Sequence, residues 1–412
     1  MFAKDIPLKM PPTPKPIHRF FVSSAMSLLQ SFGKRPAGPR LQRILRSSHY
    51  RDGSFQNPVP TEVTLKDTTI WKMLKEYRRR PADSTPPMPL PSIRTDLTRL
   101  TAGKATVVWF GHSSYLLKLG PTHILVDPVF SGNASPFTFF AKAYPGADIY
   151  KPADMPPTLE AILLTHDHYD HLDYKTIQQL NPRTRHFYTS LGVGAHLEFW
   201  GIPAEKITEL DWGETVHIDP SGNPVTANSL QGAGNPVPAI SPKASIRLTS
   251  TPARHFSGRT FKRGQATWSS FVLNAPDTGS PANNAPDPSN PGGRLNLFLG
   301  GDSGYGPHFR SIGEQYGPFD LAFLECGQYG VHWPNIHMFP EETILAAVDL
   351  KAQTLFPVHW AKFTLSLHPW NEPIRRAVAE AKAFNIPITT PQIGQTVNIN
   401  HDYPTDPWYD IL

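Results

Sequence analysis

The sequence predicts a layered α/β fold with an extended N-terminal arm, and three observations predict it. Short β-prone apolar runs begin at residue 105, separated by glycine-containing turns. From about residue 161 such runs alternate with helix-prone segments, the pattern of sheets covered by helices. The first hundred residues are instead proline-rich and basic. At 412 residues and 39% hydrophobic content, the chain can bury a substantial core.

Taken in order, residues 1–104 read as an arm that packs on the core. It carries "MPPTPKP" and "STPPMPLP", with short helical patches at 24–31, 39–47 and 68–79. Its apolar run "FFVSSAMSLL" (20–29) is too short and too serine-interrupted to span a bilayer. The run starts late and no small-residue cleavage site follows, so no removal of a signal peptide is expected.

Residues 105–412 read as the compact domain. "ATVVWF" (105–110), "SYLLKL" (114–119) and "HILVDPVF" (123–130) are neighbouring strands. "AILLT" (161–165) is a buried strand and "YKTIQQL" (174–180) a helix. A strand at 186–189 and a helix at 191–200 repeat the alternation. Further strands are expected near 245–252, 268–274, 295–300, 320–325 and 353–358, with helices at 340–350 and 372–385. The Pro/Asn/Gly-rich stretch 274–294 predicts a flexible surface insertion.

Charge is unevenly spread. Residues 1–104 hold 19 Lys+Arg against 7 Asp+Glu, leaving 20 against 27 for the rest. Charge alone leaves two readings open, an arm drawn to an anionic membrane surface and a solvated, partly disordered arm. Nucleic acid is not expected, because no aromatic-interleaved binding module accompanies the charge. The single cysteine, Cys326, excludes an intrachain disulfide framework and accords with a reducing compartment. A cytoplasmic protein, peripheral on a membrane, is expected.

The chemistry concentrates in "LLTHDHYDHLD" (163–173), where an apolar strand ends in His166, His168, Asp170 and His171. Four such groups within six residues at a buried strand end are costly unless paired or metallated. Imidazole and carboxylate suit zinc and similar divalent ions, and the lack of paired cysteines argues against a structural thiolate site. Distant partners stand at other strand ends: His255 in "STPARHFSGRT", Asp302 in "LFLGGDSGY" and His359 in "TLFPVHW". His112 and Asp127 also follow strands, where ligand-orienting and ordinary core roles are both open to them. Ser303 has no Ser-His-Asp arrangement around it and is not expected to be a nucleophile. The aromatic loop "SPFTFFAKAYPG" (135–146) is read as an apolar entrance in preference to a patch that packs the arm on the core.

These words resemble the metallo-β-lactamase fold superfamily, and within it the N-acylphosphatidylethanolamine-hydrolysing phospholipase D group and its bacterial relatives. The resemblance spans roughly 105–395. It rests on "WFGHSSYLL", "LVDPVFSGNASP", "THDHYDHLDY", "ELDWGE", "PARHFSGRT", "GGDSGY", "HMFPEE" and "PVHWAKFTL", with "HYRDGSFQNP" (49–58) in the arm. It departs from that group's pattern at 274–294.

The resemblance implies an αββα four-layer sandwich with two zinc ions, or other divalent metals, at one edge. By similarity, His166, His168 and His255 hold one ion, Asp170, His171 and His359 the second, and Asp302 bridges them. A hydroxide between two cations about 3.5–4 Å apart is the implied nucleophile for phosphodiester hydrolysis. Asp170 would orient it, while Tyr169 and His337 would contact the phosphate and His337 would assist the leaving alkoxide. The implied activity is phospholipase D-like cleavage of N-acylphosphatidylethanolamine or similar phospholipids, in an enzyme expected to pair as a homodimer. A lactonase or other small-molecule metallo-hydrolase, a nuclease and a non-catalytic binding module are the alternatives.

Overall fold

The structure, a computed structural model, describes residues 28–65, 69–100, 103–137, 139–225, 245–259, 262–276 and 293–410. Residues 20–27 of the apolar run, 24–27 and 68 of the expected arm helices, and 277–292 of the expected insertion lie outside them.

Within the arm, residues 28–31 are helical, α1 spans Gly38–Ile44 and α2 spans Ile70–Arg78. Between them β1 (Tyr50–Arg51) and β2 (Ser54–Phe55) make a small hairpin. Its turn residues Asp52 and Gly53 have φ of 52° and 76°. An Asp-Gly pair tolerates two successive positive φ values, which is why the chain reverses there.

The core strands are β3 (Thr106–Trp109), β4 (Tyr115–Leu119), β5 (Thr122–Val126), β6 (Leu159–Leu164), β7 (Thr184–Ser190), β8 (Ile207–Leu210), β9 (Thr215–Ile218), β10 (Ile246–Pro252), β11 (Ser269–Pro276), β12 (Arg294–Leu299), β13 (Leu321–Glu325), β14 (Leu355–Val358) and β15 (Thr396–Asn398). Among the described residues they form a seven-stranded sheet, β15-β3-β4-β5-β6-β7-β8, and a six-stranded sheet, β14-β13-β12-β11-β10-β9. The helices of the core are α3 (Tyr174–Leu180), α4 (Gly194–Phe199), α5 (His308–Tyr316), α6 (Pro340–Asp349) and α7 (Glu372–Phe384).

Strand periodicity sorts the apolar side chains into layers. Val107, Trp109, Tyr115 and Leu117 of the first sheet join Phe271, Leu273, Leu297 and Phe323 of the second in one cluster. Tyr115 stacks on Phe323 across the gap, with ring centroids 4.3 Å apart. The alternate residues Val108, Leu116, Leu125 and Ile162 pack with Ile177, Leu180 and Leu197 of α3 and α4. Ile344, Ala347, Ile374 and Ala377 of α6 and α7 are buried against the second sheet. Strands covered on both faces read as continuous apolar runs, as "AILL" and "LAFL" do. The architecture is the αββα sandwich.

Topology places the functional loops. β3 is antiparallel to β4 and β4 to β5, while β5 and β6 are parallel, so β3, β5 and β6 all end at one edge. In the second sheet β10, β12, β13 and β14 share a direction for the same reason. The segments after these strands carry His112, Asp127, His166–His171, His255, Asp302 and His359. The two sheets are stitched there by two backbone bonds, His112 N–H to the Trp360 carbonyl (2.8 Å) and His359 N–H to the His112 carbonyl (3.0 Å).

Some expectations shift. The helix expected at 191–200 starts at Gly194, because Gly192 turns the chain with φ of 97° and a Cβ there would meet the Gln265 carbonyl at 2.6 Å. The strand expected at 353–358 starts at Leu355. β8, β9, β15 and α5 are additions to the elements expected. No helix among the described residues is long and apolar enough to cross a membrane.

Candidate metal centre

Asp127 organises the first loop. Its carboxylate accepts from the Thr165 N–H (2.8 Å), the Thr165 hydroxyl (2.6 Å) and His171 Nδ1 (2.8 Å), all buried. Bonding at Nδ1 fixes the tautomer and leaves His171 Nε2 to face Asp302 Oδ1 at 3.1 Å. His112 Nε2 lies 2.9 Å from Asp170 Oδ2 in the same way. His255 Nδ1 bonds the Ile336 carbonyl at 2.9 Å, which turns its Nε2 toward His168 Nδ1, 3.1 Å away.

The seven residues expected to hold metal come together. Ligand atoms of His166, His168, His255 and Asp302 all lie within 4.8 Å of one another, as do those of His112, Asp170, His171 and His359. A third set, Asp302, Glu325, His337 and His359, overlaps both in space. Asp302 Oδ2 stands 3.7 Å from His166 Nε2 and 3.8 Å from His255 Nε2, and its Oδ1 stands 3.1 Å from His359 Nδ1. One carboxylate therefore faces both histidine groups.

The residues fit divalent metal binding. His166 Nε2, His171 Nε2 and Asp302 Oδ1 are buried and, among the described residues, make no properly aligned hydrogen bond. Buried polar atoms left so are costly, and a cation in their midst satisfies them together. Burial and the neighbouring imidazoles push His166, His255 and His359 far down, so these rings are neutral with free lone pairs. Burial pushes Asp170 up, but His171, His112 and His168 outweigh it and hold the carboxylate ionised. Neutral imidazoles and ionised carboxylates are the protonation states that ligation requires, and His171 departs from them: burial pushes it down, but Asp302, Asp170 and Asp127 outweigh this and raise it well above the usual histidine range, so a cation there has to displace its proton.

Glu325, the last residue of β13, was not singled out by its sequence context. Its Oε1 accepts from the Ser303 N–H (2.9 Å) and the Met338 N–H (3.2 Å), and its Oε2 meets His337 Nδ1 at 2.7 Å. Burial drives Glu325 upward, while its carboxylate draws His337 above the usual histidine range. The available signal was a lone acidic residue closing the apolar run "LAFLE", at the same sheet edge as His166 and His359.

Tyr169 stands apart from the converging ligands. Its hydroxyl donates to the Arg259 carbonyl (3.0 Å) and its ring lies 4.3 Å from the Arg259 guanidinium. To donate to a phosphate it has to leave that carbonyl. Arg259 is itself buried and donates to the carbonyls of Asp167 (2.9 Å) and Leu172 (2.7 Å), bracing both ends of the histidine loop. Ser303 is buried, accepts from the Arg254 N–H (2.9 Å) and donates to the Gly304 carbonyl (2.9 Å), so it joins two loops.

A two-sheet sandwich with histidines and aspartates converging at one edge defines a metallo-hydrolase-type centre. Residues 122–360 match the family model described as the β-lactamase superfamily domain. The chain belongs to that superfamily and has the metallo-β-lactamase fold. An uncharacterized protein of Mycobacterium tuberculosis is 33% identical over 378 residues, 88% of either chain. The N-acyl-phosphatidylethanolamine-hydrolyzing phospholipase D 1 of Caenorhabditis elegans is 28% identical over 318 residues, 74% of this chain and 76% of that one. The mitochondrial enzyme of the same name from Saccharomyces cerevisiae is 28% identical over 298 residues, 70% of this chain and 54% of that one. Among solved structures, the metallo-hydrolase Igni18 of Ignicoccus hospitalis aligns over 73% of this chain and 100% of its own, at 17% identity and a TM-score of 0.47.

Proposed function

We propose that the protein is a dinuclear metal-dependent hydrolase that cleaves phosphodiester bonds in N-acylphosphatidylethanolamine or similar amphiphiles, with zinc as its metal. The observation that carries this reading is the placement of Asp302 between two groups of buried histidines, with the Glu325–His337 pair alongside. His166, His168 and His255 would hold one ion, Asp170, His171 and His359 the other, and Asp302 both. Two such ions lower the pKa of water and screen the charge that builds on a phosphoryl group.

The chain's own groups supply the rest. Asp127 and His112 hold His171 and Asp170 in their ligating orientations. His337, anchored at Nδ1 by Glu325, keeps a proton near neutral pH and presents its other nitrogen as the donor for a leaving alkoxide. Phe137, Phe139 and Phe140 are exposed, as is Trp71 on α2 beside Lys72, Lys75, Arg78 and Arg79. Exposed aromatics among cations suit a lipid surface, and the two phospholipase relatives act, by their names, on such a lipid.

A substrate panel tests the reading. Purified protein loaded with zinc is given N-acylphosphatidylethanolamine, a cyclic nucleotide and a lactone under one set of conditions. Selective release of the N-acylethanolamine is expected. Turnover of the lactone or the nucleotide alone would assign the site to another hydrolase class of this fold.

A further inference from the structure

His255 occupies an awkward place for its main chain. β10 ends at Pro252 and β11 begins at Ser269, so the ladder has stopped when the chain reaches His255. The residue is nevertheless fully buried. Its N–H and C=O therefore need partners that the sheet does not provide.

A side chain of the arm provides both. Asn57 Nδ2 donates to the His255 carbonyl at 2.8 Å, and Asn57 Oδ1 accepts from the His255 N–H at 3.1 Å. No other main-chain partner of His255 occurs among the described residues. The amide acts as a one-residue strand, pairing with His255 as an antiparallel neighbour would. Asn57 is itself fixed. Its Oδ1 also accepts from the buried indole Trp268 Nε1 at 3.0 Å. Phe55 N–H, two residues before it, bonds the Gly264 carbonyl at 2.8 Å, and Pro58 after it restricts the backbone to extended forms.

We propose that Asn57 is a positioning residue for the metal centre, setting the main chain of His255 while the Ile336 carbonyl sets its ring. The two restraints come from separate segments, one from the arm and one from the loop that carries His337. Together they leave the imidazole one orientation, with Nε2 toward His166, His168 and Asp302. Only a group with a donor and an acceptor side by side can fill this position. Asn57 thereby makes a segment 198 positions away in the chain part of the centre. This inference rests on the reading that His255 ligates metal.

The test is metal titration of the full-length protein, with a chelator competing for zinc and the visible spectrum of the cobalt-substituted form as a second readout. Asn57→Ala is expected to weaken zinc binding at one of two sites by roughly 10–100-fold and to alter the cobalt spectrum. Asn57→Asp, nearly the same size, keeps the acceptor and sets an oxygen against the His255 carbonyl. It is expected to weaken that site as well, and it serves if Asn57→Ala does not fold. Arg40→Met is the control for simple loosening of the arm. It removes an arm ion pair to Glu198 and Glu209, neither of them a proposed ligand, and should lower thermal stability with both sites at wild-type affinity. Wild-type zinc affinity and cobalt spectrum in both Asn57 variants would overturn the inference, as would equal metal loss in Arg40→Met. Wild-type protein that binds no metal would overturn the dinuclear reading and this inference together, whereas two ions bound with equal affinity in the wild type and in both Asn57 variants would sink the inference alone.

Discussion

His337 takes its character from Glu325, and the pair is where residue chemistry is most exposed to test. Substituting His337→Gln removes the proposed proton donor but leaves the seven proposed ligands, so kcat should fall by about 10²–10⁴-fold with metal content unchanged. Equal turnover with intact metal would remove His337 from the mechanism. A second residue-scale consequence concerns Lys362. Burial drives its ammonium down to about 8, although Nζ donates to the Phe110 and Val129 carbonyls at 3.0 Å each. From about pH 8 to its unfolded value near 10.4, the folded state then binds fewer protons than the unfolded chain, so this residue makes stability rise with pH. Urea denaturation between pH 7.5 and 10 should show a steeper rise for wild type than for Lys362→Met. Identical slopes would mean that Lys362 is charged in the fold.

At the scale of elements, glycines let the arm lie close against the core. Gly394, with φ of 84°, would place a Cβ 1.9 Å from the Ile93 carbonyl, and its own carbonyl accepts from the Thr95 hydroxyl at 2.7 Å. Ile93 N–H bonds the Ile393 carbonyl at 2.8 Å beside it. Gly394→Ala therefore combines strained backbone with a backbone clash. It should cost about 2 kcal/mol or more in denaturant unfolding, with a wild-type slope. A loss under about 0.5 kcal/mol would mean that the arm does not press on this strand edge.

Element by element, legibility in the sequence follows signal length. Strands such as Leu159–Leu164 and helix α7 carried enough apolar periodicity to be placed within a residue or two. β15 is three residues long, and α5 reads "HFRSIGEQY" with a glycine inside, so neither stood out. The histidine loop was legible because four candidate ligands sit within six residues. Glu325 was not, because one carboxylate at a strand end has many ordinary explanations. His112 was legible as a strand-end group, but its 2.9 Å approach to Asp170 depends on a loop 58 positions away. Asn57 was harder still, since nothing in "SFQNPVP" indicates which main chain its amide will meet.

The molecule as a whole carries its excess of positive charge toward one end of the chain, and part of that charge lies beside exposed aromatics. Lys72, Lys75, Arg78 and Arg79 flank Trp71, and the loop with Phe137, Phe139 and Phe140 reaches the same helix through Phe140, whose ring lies 6.0 Å from Tyr77. Vesicles containing anionic lipid should therefore retain the protein at low salt and release it as the Debye length shortens. The double variant Trp71→Ser, Phe139→Ser should bind more weakly at every salt concentration. Retention that is equal for anionic and neutral vesicles would contradict this picture of the surface.

On the proposed function, Asp302 holds two metal ions in a centre that cleaves phospholipid. Metal analysis coupled to hydrolysis of N-acylphosphatidylethanolamine, for wild type and Asp302→Asn side by side, tests it most directly. Two divalent ions and measurable turnover are predicted for wild type, with both falling together in Asp302→Asn. Robust cleavage by metal-free protein, or full turnover by Asp302→Asn, would contradict it.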